Sequence, residues 1–211
     1  MTITKFGHSC LLIEEKEVRI LLDPGSYSEG QNDVQNVDAV LITHEHQDHV
    51  ALGSLKTILK NSPEARVVTH KGVAEMLAKE NIKTEIVEDD QSTEVKGIKI
   101  EGKGSEHALI HSSIPLVKNV GYFVAGKFFY PGDALTLPER PVEILAMTAF
   151  APWGKISELI DYAIAVKPKV AIPVHDAILK NPAMLHPMFT KILGDADIEF
   201  ESLEIGKGYE F

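Results

Sequence analysis

Thr43-His44-Glu45-His46-Gln47-Asp48-His49 sets four metal-ligand residue types, His44, His46, Asp48 and His49, within six positions. The stretch follows Asp38 to Thr43, an apolar run that reads as a strand ending at the cluster. On an extended or turning loop, His44 and His46 point to the same side, and Asp48 and His49 reach the next position along. Neutral imidazole and carboxylate suit zinc, and also iron or manganese. The competing reading is a polar surface loop with chance histidines. It is the weaker one, because a dense His/Asp cluster at a strand end is what a metal site requires. A zinc finger would need cysteines. The His-Glu-x-x-His helix of zinc proteases is excluded too, because His46 and His49 lie three apart with other residues between.

Working outward, four more candidates lie downstream. Asp133 follows Phe128-Phe129-Tyr130-Pro131-Gly132, and a carboxylate just past a glycine turn can bridge two metals. His175 follows the apolar run Val170 to Val174. His107 and His111 lie in Lys103 to Asn119, a polar stretch without a clear period. Long irregular loops of that kind are often functional. Each of these histidines alone reads more readily as a surface or capping residue, but with the loop they complete an inventory. One site takes His44, His46 and His107, the other takes Asp48, His49 and His175, and Asp133 lies between them. The middle histidine is either His107 or His111. A strand at Ile98 to Gly102, shortly before it, favours His107.

The flanking elements suggest two sheets, each with helices on its outer side. Strands are expected at Thr2 to Phe6, Cys10 to Ile13 and Val18 to Leu22, with a hairpin turn at Glu14 to Glu17 and a turn at Asp23-Pro24-Gly25. Helical spacing follows at Val50 to Lys60, then strand Arg66 to Thr69, helix Lys71 to Glu80 and strand Thr84 to Glu88. Thr93 to Val95, Ile98 to Gly102, Val120 to Ala125, Lys127 to Tyr130 and Glu143 to Met147 read as strands. Ile156 to Val166 reads as a helix, Val170 to Val174 as a buried strand, Met184 to Leu193 as a helix and Ile198 to Leu203 as the final strand.

The chain has 211 residues, 44% of them hydrophobic and 25% charged. That length and the absence of a linker point to a single domain over residues 1–211. With 21 basic and 31 acidic residues the formal charge is -10, and no Lys/Arg-rich run stands out. A nucleic-acid partner is therefore not expected, because phosphate contacts call for a basic face. A small-molecule substrate is expected instead. Cys10, the single cysteine, reads as a small core residue. The lack of an apolar membrane span or leader-like start leads to a cytoplasmic expectation without a membrane partner. A homo-oligomer is compatible with the sequence.

The ordered motifs resemble the metallo-β-lactamase fold superfamily: the Thr43–His49 stretch, a lone histidine, Gly132-Asp133, and a late histidine at a strand end. Gly7-His8-Ser9-Cys10, Leu21-Leu22-Asp23-Pro24-Gly25 and Ile172-Pro173-Val174-His175-Asp176 look, more narrowly, like the branch of L-ascorbate-6-phosphate lactonase-like proteins. The resemblance implies an α/β (α+β) fold, a four-layer αβ/βα sandwich of two mixed β-sheets with helices on the outer faces. It also implies two divalent metal ions at one edge, most often Zn2+, with Mn2+ or Fe2+ in some members. The implied ligands are His44, His46 and His107 for one metal, Asp48, His49 and His175 for the other, and Asp133 for both. Hydrolysis of an ester, lactone or phosphoester follows, with Asp48 and Asp133 as the catalytic carboxylates.

Two rival functions are iron-dependent redox chemistry on the same fold and a non-catalytic metal-binding scaffold. Diiron reductases usually carry Glu at the position of His46, and degenerate scaffolds tend to lose ligands. Asp23 is expected either to orient a ligand imidazole or to serve the Pro24-Gly25 turn. His8 and Ser9 reach the site edge or play turn roles. Trp153 either packs or lines the site, Lys155 is a candidate for meeting an anionic substrate, and His70 and His186 are read as non-ligands.

Overall fold

The apolar alternation of the first residues folds as an antiparallel meander. A computed structural model describes residues 1–211. In it β1 (Thr2–Lys5), β2 (Leu11–Glu15) and β3 (Val18–Leu22) pair in succession. The β2–β3 turn is the two-residue loop Lys16-Glu17, with φ of 49° and 66°. Positive φ at both central residues is what the right-handed strand twist demands of such a hairpin.

The sheet then turns parallel. β4 (Ala39–Ile42), β5 (Arg66–Thr69) and β6 (Glu85–Ile86) add beside β3, linked by α1 (Leu52–Asn61) and α2 (Lys71–Ala78). Parallel strands are covered on both faces, and all four residues of β4 are buried.

The second sheet repeats this plan. β7 (Ser92–Val95), β8 (Ile98–Lys103), β9 (Gly121–Val124) and β10 (Phe128–Tyr130) run antiparallel. β11 (Ile144–Thr148), β12 (Val170–Val174) and β13 (Glu199–Phe200) continue parallel, with α3 (Ile156–Val166) and α4 (His186–Gly194) as connections. β14 (Gly208–Glu210) returns to β1 and completes the first sheet. The orders are β14-β1-β2-β3-β4-β5-β6 and β13-β12-β11-β10-β9-β8-β7.

Three apolar clusters give the layers. Ile3, Ile13, Ile20 and Leu41 of the first sheet meet Ile100, Tyr122, Phe128 and Ile172 of the second in the central cluster. Leu55 and Ile58 of α1 and Val73 and Leu77 of α2 pack on the outer face of the first sheet, against Leu12, Leu21 and Val40. Ile160 and Ala163 of α3 and Phe189 and Leu193 of α4 pack on the outer face of the second, against Leu145 and Ala171. This is the expected four-layer α/β sandwich of two mixed sheets. No helix is long and apolar enough to cross a membrane.

The C-terminal expectations need correction. A helix from Met184 would place Pro187 inside it, where proline lacks the donor and clashes with the preceding turn. The chain instead makes a 3-10 turn at Pro182–Met184, and α4 starts at His186 with Pro187 in its first turn. The expected final strand Ile198 to Leu203 shrinks to Glu199–Phe200. The last strand is the polar β14, whose exposed or half-buried residues give no alternation to read.

Candidate metal centre

The chemistry-bearing residues leave the carboxyl ends of strands from both sheets. Asp23 follows β3, the Thr43–His49 stretch follows β4, and His175 directly follows β12. Asp133 sits three residues beyond β10, and His107 four beyond β8. In open α/β sheets this is the edge where ligands bind. Here two sheets bring such edges together. His8 C=O accepts from His175 N–H at 2.7 Å, and Thr43 C=O accepts from Val120 N–H at 3.0 Å, so the backbone stitches the sheets beside the site.

Two glycines make the close approach feasible. A Cβ on Gly25 would lie 1.8 Å from the Asp48 carbonyl oxygen, so Asp23-Pro24-Gly25 can pass the histidine loop only as glycine. Gly132 has φ +66°, and its Cβ would meet Asn119 Oδ1 at 2.2 Å. Asn119 Oδ1 instead accepts from Asp133 N–H at 3.0 Å while its amide donates to Pro131 C=O at 2.8 Å. This buried asparagine was not anticipated. It lies in the irregular 103–119 stretch, where nothing in the local pattern marks it.

The side chains gather in two sets. His44, His46, His107 and Asp133 form one, and His8, Asp48, His49 and His175 form the other, with donor atoms within 4.8 Å of one another in each. Asp133 lies between them. Its Oδ2 is 3.4 Å from His107 Nε2 and 3.1 Å from His175 Nε2, and its Oδ1 is 3.3 Å from His49 Nε2. Asp48 Oδ2 is 3.6 Å from His175 Nε2 and 3.8 Å from His49 Nε2. His111 stands apart. It is exposed and bonded to Ser113 within its own loop, whereas His107 is buried in the first set.

A surrounding layer orients these groups. Asp23 Oδ2 lies 2.7 Å from His49 Nδ1 and accepts from Thr43 Oγ1 at 2.7 Å, while Oδ1 accepts from Thr43 N–H. Asp23 therefore plays the orienting role as well as the turn role. Trp153 Nε1–H donates to Asp133 Oδ2 at 2.8 Å. Lys155 is placed elsewhere: it is exposed at the start of α3, paired with Glu158, and outside the cavity lining. His70 caps α2 by accepting from Gly72 N–H, His186 opens α4, and Cys10 is fully buried in the apolar layer.

The electrostatics have one dominant fact. Asp23, Asp48 and Asp133 are buried or nearly so, and no lysine or arginine pairs with them. Burial opposes their ionisation, yet the surrounding histidines hold the Asp48 and Asp133 carboxyls well below the usual carboxylate range. Burial likewise opposes charge on His175, but Asp133 and Asp48 outweigh it and raise its pKa to about 10. His49 is shifted upward for the same reason, with burial opposed chiefly by Asp133. His44, facing other histidines and fully buried, is pushed down.

A divalent cation fits this donor set. His49 Nε2, His107 Nε2 and Asp133 Oδ1 are buried atoms without a hydrogen bond, turned into the shared space. Leaving such atoms unsatisfied costs about 1–3 kcal/mol each, and metal coordination removes that cost. The space opens into a cavity of about 200 Å3. Tyr27, Ile110, Pro152, Trp153 and Ile178 form its apolar wall.

Comparison with known proteins agrees. The β-lactamase superfamily domain matches residues 2–175. Protein Rv0786c of Mycobacterium tuberculosis is 38% identical over 188 residues, 87% of each chain. The UPF0173 metal-dependent hydrolase NEQ378 of Nanoarchaeum equitans is 30% identical over 193 residues, 83% of each chain. In three dimensions Igni18, a metallo hydrolase of Ignicoccus hospitalis, superposes with a TM-score of 0.76 at 17% identity, covering 100% of this chain and 98% of its own. The fold, the clustered donors and the relatedness over most of the sequence converge: this chain belongs to the metallo-β-lactamase superfamily and is a metal-dependent hydrolase.

Proposed function

We propose that the two donor sets hold two divalent ions, zinc first among the candidates, and that the chain hydrolyses an ester, lactone or phosphoester bond of a small molecule. The observation that carries this reading is the position of Asp133 between the two sets, each of which offers four ligand-type groups. His44, His46 and His107 would serve one ion, Asp48, His49 and His175 the other, and Asp133 both. Bound metals supply Lewis acidity and a water acidic enough to ionise near neutrality.

The chain's own residues supply the rest. Asp48 reaches the cavity with 19% of its side chain exposed, against 3% for Asp133. As an ionised carboxylate lining the cavity, it would accept a hydrogen bond from the attacking water and aim it. Asp133 is held by Trp153 and by the Asn119-braced backbone. Tyr27, Trp153 and Ile178 line the cavity and would bear on the apolar part of the substrate. No lysine or arginine lines this cavity. The bare wall disfavours a phosphate remote from the scissile bond, as the narrower lactonase-like resemblance implies, because it would find no cationic side chain there. A scissile phosphoester is a different case, since the bound cations would themselves meet its charge.

The test is metal analysis of protein purified without added metal, followed by assay of zinc- or manganese-loaded protein on short esters, lactones and phosphodiesters. Expected is about two metals per chain and turnover of at least one of these substrate classes. Iron with oxygen-dependent turnover would overturn the hydrolytic reading. Full loading without hydrolysis of any substrate would support a scaffold.

A further inference from the structure

His8 stands within reach of the second donor set, and its distance alone would make it a fourth ligand there. Its hydrogen bonds say otherwise. A metal-bound histidine ordinarily donates from its second ring nitrogen to an acceptor, which fixes the tautomer and bares the ligating nitrogen. Four histidines of the centre obey this. His49 Nδ1 faces Asp23 Oδ2 at 2.7 Å, His107 Nδ1 faces Ala108 C=O at 2.6 Å, and His175 Nδ1 faces Phe150 C=O at 2.7 Å. His44 Nδ1 faces Thr43 Oγ1 at 3.0 Å, whose own proton goes to Asp23.

His8 is the reverse. Its Nδ1 lies 3.3 Å from the backbone N–H of Ala177, a group that can only donate. Nδ1 must then be the acceptor, and the proton of the neutral ring sits on Nε2. That Nε2 points at Asp48 Oδ2 at 3.2 Å, the single hydrogen bond Asp48 makes within the chain. The ring is fully buried, 4.1 Å from the His175 ring and 5.3 Å from Tyr27, so it has little room to turn. The same residue's carbonyl holds His175 N–H.

We propose that His8 is a positioning residue of the second metal site, an Nε2–H donor that sets the rotation of the Asp48 carboxylate, and not a ligand. The proposal rests on the reading of Asp48 as a ligand. By occupying one lone pair of Oδ2, His8 determines which lone pair faces His49 and His175.

Glutamine can replace the donor at Nε2 without replacing an imidazole ligand, so the decisive comparison is His8→Gln against His8→Ala. Zinc stoichiometry and affinity are measured on both, with Asp48→Ala beside them. Expected is a loss of about 10–100-fold in affinity at one of two sites for His8→Ala, and a change within about threefold for His8→Gln. In long-range 15N–1H spectra of zinc-loaded wild-type protein, His8 Nε2 keeps its proton. That measurement decides the matter even where the alanine variant does not fold. Equal loss of one zinc in His8→Gln and His8→Ala, or an unprotonated His8 Nε2, would overturn the proposal while leaving Asp48 a ligand. An Asp48→Ala protein that retains both zinc ions would overturn the ligand reading, and the role of His8 with it.

Discussion

The two donor sets are built from the same residue types but are held differently. In the second set, Asp23 and the Tyr130 hydroxyl flank His49 Nδ1, a backbone carbonyl fixes His175, and His8 holds Asp48. In the first, His44 and His107 are fixed through Nδ1, but the His46 ring has no hydrogen-bond partner beyond His44. The second set has Asp48 in addition to the shared Asp133, whereas the first has only the shared carboxylate. Charge and preorganisation therefore act in the same direction, and the second set should bind its cation more tightly. The first set lies beside the 104–119 loop, whose Leu109, Ile114 and Leu116 are exposed.

The largest expected effect abolishes the difference between the sets altogether. Asp133→Ala removes the group both share, and bound metal should fall from about two per chain to one or fewer, with hydrolysis down on the order of 10²–10⁴-fold. Retention of two metals would break the shared-carboxylate reading.

His46→Ala acts on one side only. It should release one metal and leave the other at its original affinity, while His111→Ala changes neither, because His111 is exposed and bonded to Ser113. Metal titration with a competing chelator distinguishes the outcomes.

Asp23→Asn sharpens the contrast further. It weakens the charge that orients His49, and the affinity of the tighter site should drop by about 10–100-fold, with a smaller loss at the other site through Thr43 and His44.

The smallest effect is a pH dependence. In the metal-free protein the pKa of His175 is raised to about 10, so its ring carries an extra proton at neutral pH, and His49 is shifted in the same direction. A metal must displace that proton, and its apparent affinity should rise with pH by up to about tenfold per unit for each proton released. Calorimetry in buffers of different ionisation enthalpy should detect release of about one proton from His175 at pH 7. For stability without metal the signs oppose. The His175 contribution is complete below its ordinary value of 6.5 and is lost as pH rises through about 10. The Asp48 and Asp133 contributions are present above 3.8 and are lost as pH falls below it. The lowered pKa of buried His44, with His8 and His46 shifted the same way, adds stability that is present above 6.5 and lost as pH falls, so the metal-free fold should melt highest near pH 6.5.

Legibility followed locality. The Thr43–His49 stretch could be read because its ligand types sit close in sequence after an apolar strand. Most strands and all four helices could be placed because buried elements repeat with fixed periods. His107 could not be told from His111 by pattern, since both lie on one irregular loop, and only the bond of Ala108 N–H to Asp133 C=O and the bond of His107 N–H to Val117 C=O across the loop turn His107 inward. Asn119, Trp153 and Tyr130 carry no motif of their own, and they act through atoms 12–81 positions away in sequence.

His8 makes the division clearest. The sequence by itself determined that a metal-dependent site stands where the strand before Thr43 ends, since the density of imidazole and carboxylate groups needs no tertiary information. Which of those groups bares a nitrogen and which presents a proton was decided only by the folded chain. A histidine's tautomer depends on the partner of its other nitrogen, and for His8 that partner is the main chain of Ala177, 169 positions away, brought there by the packing of one sheet on the other.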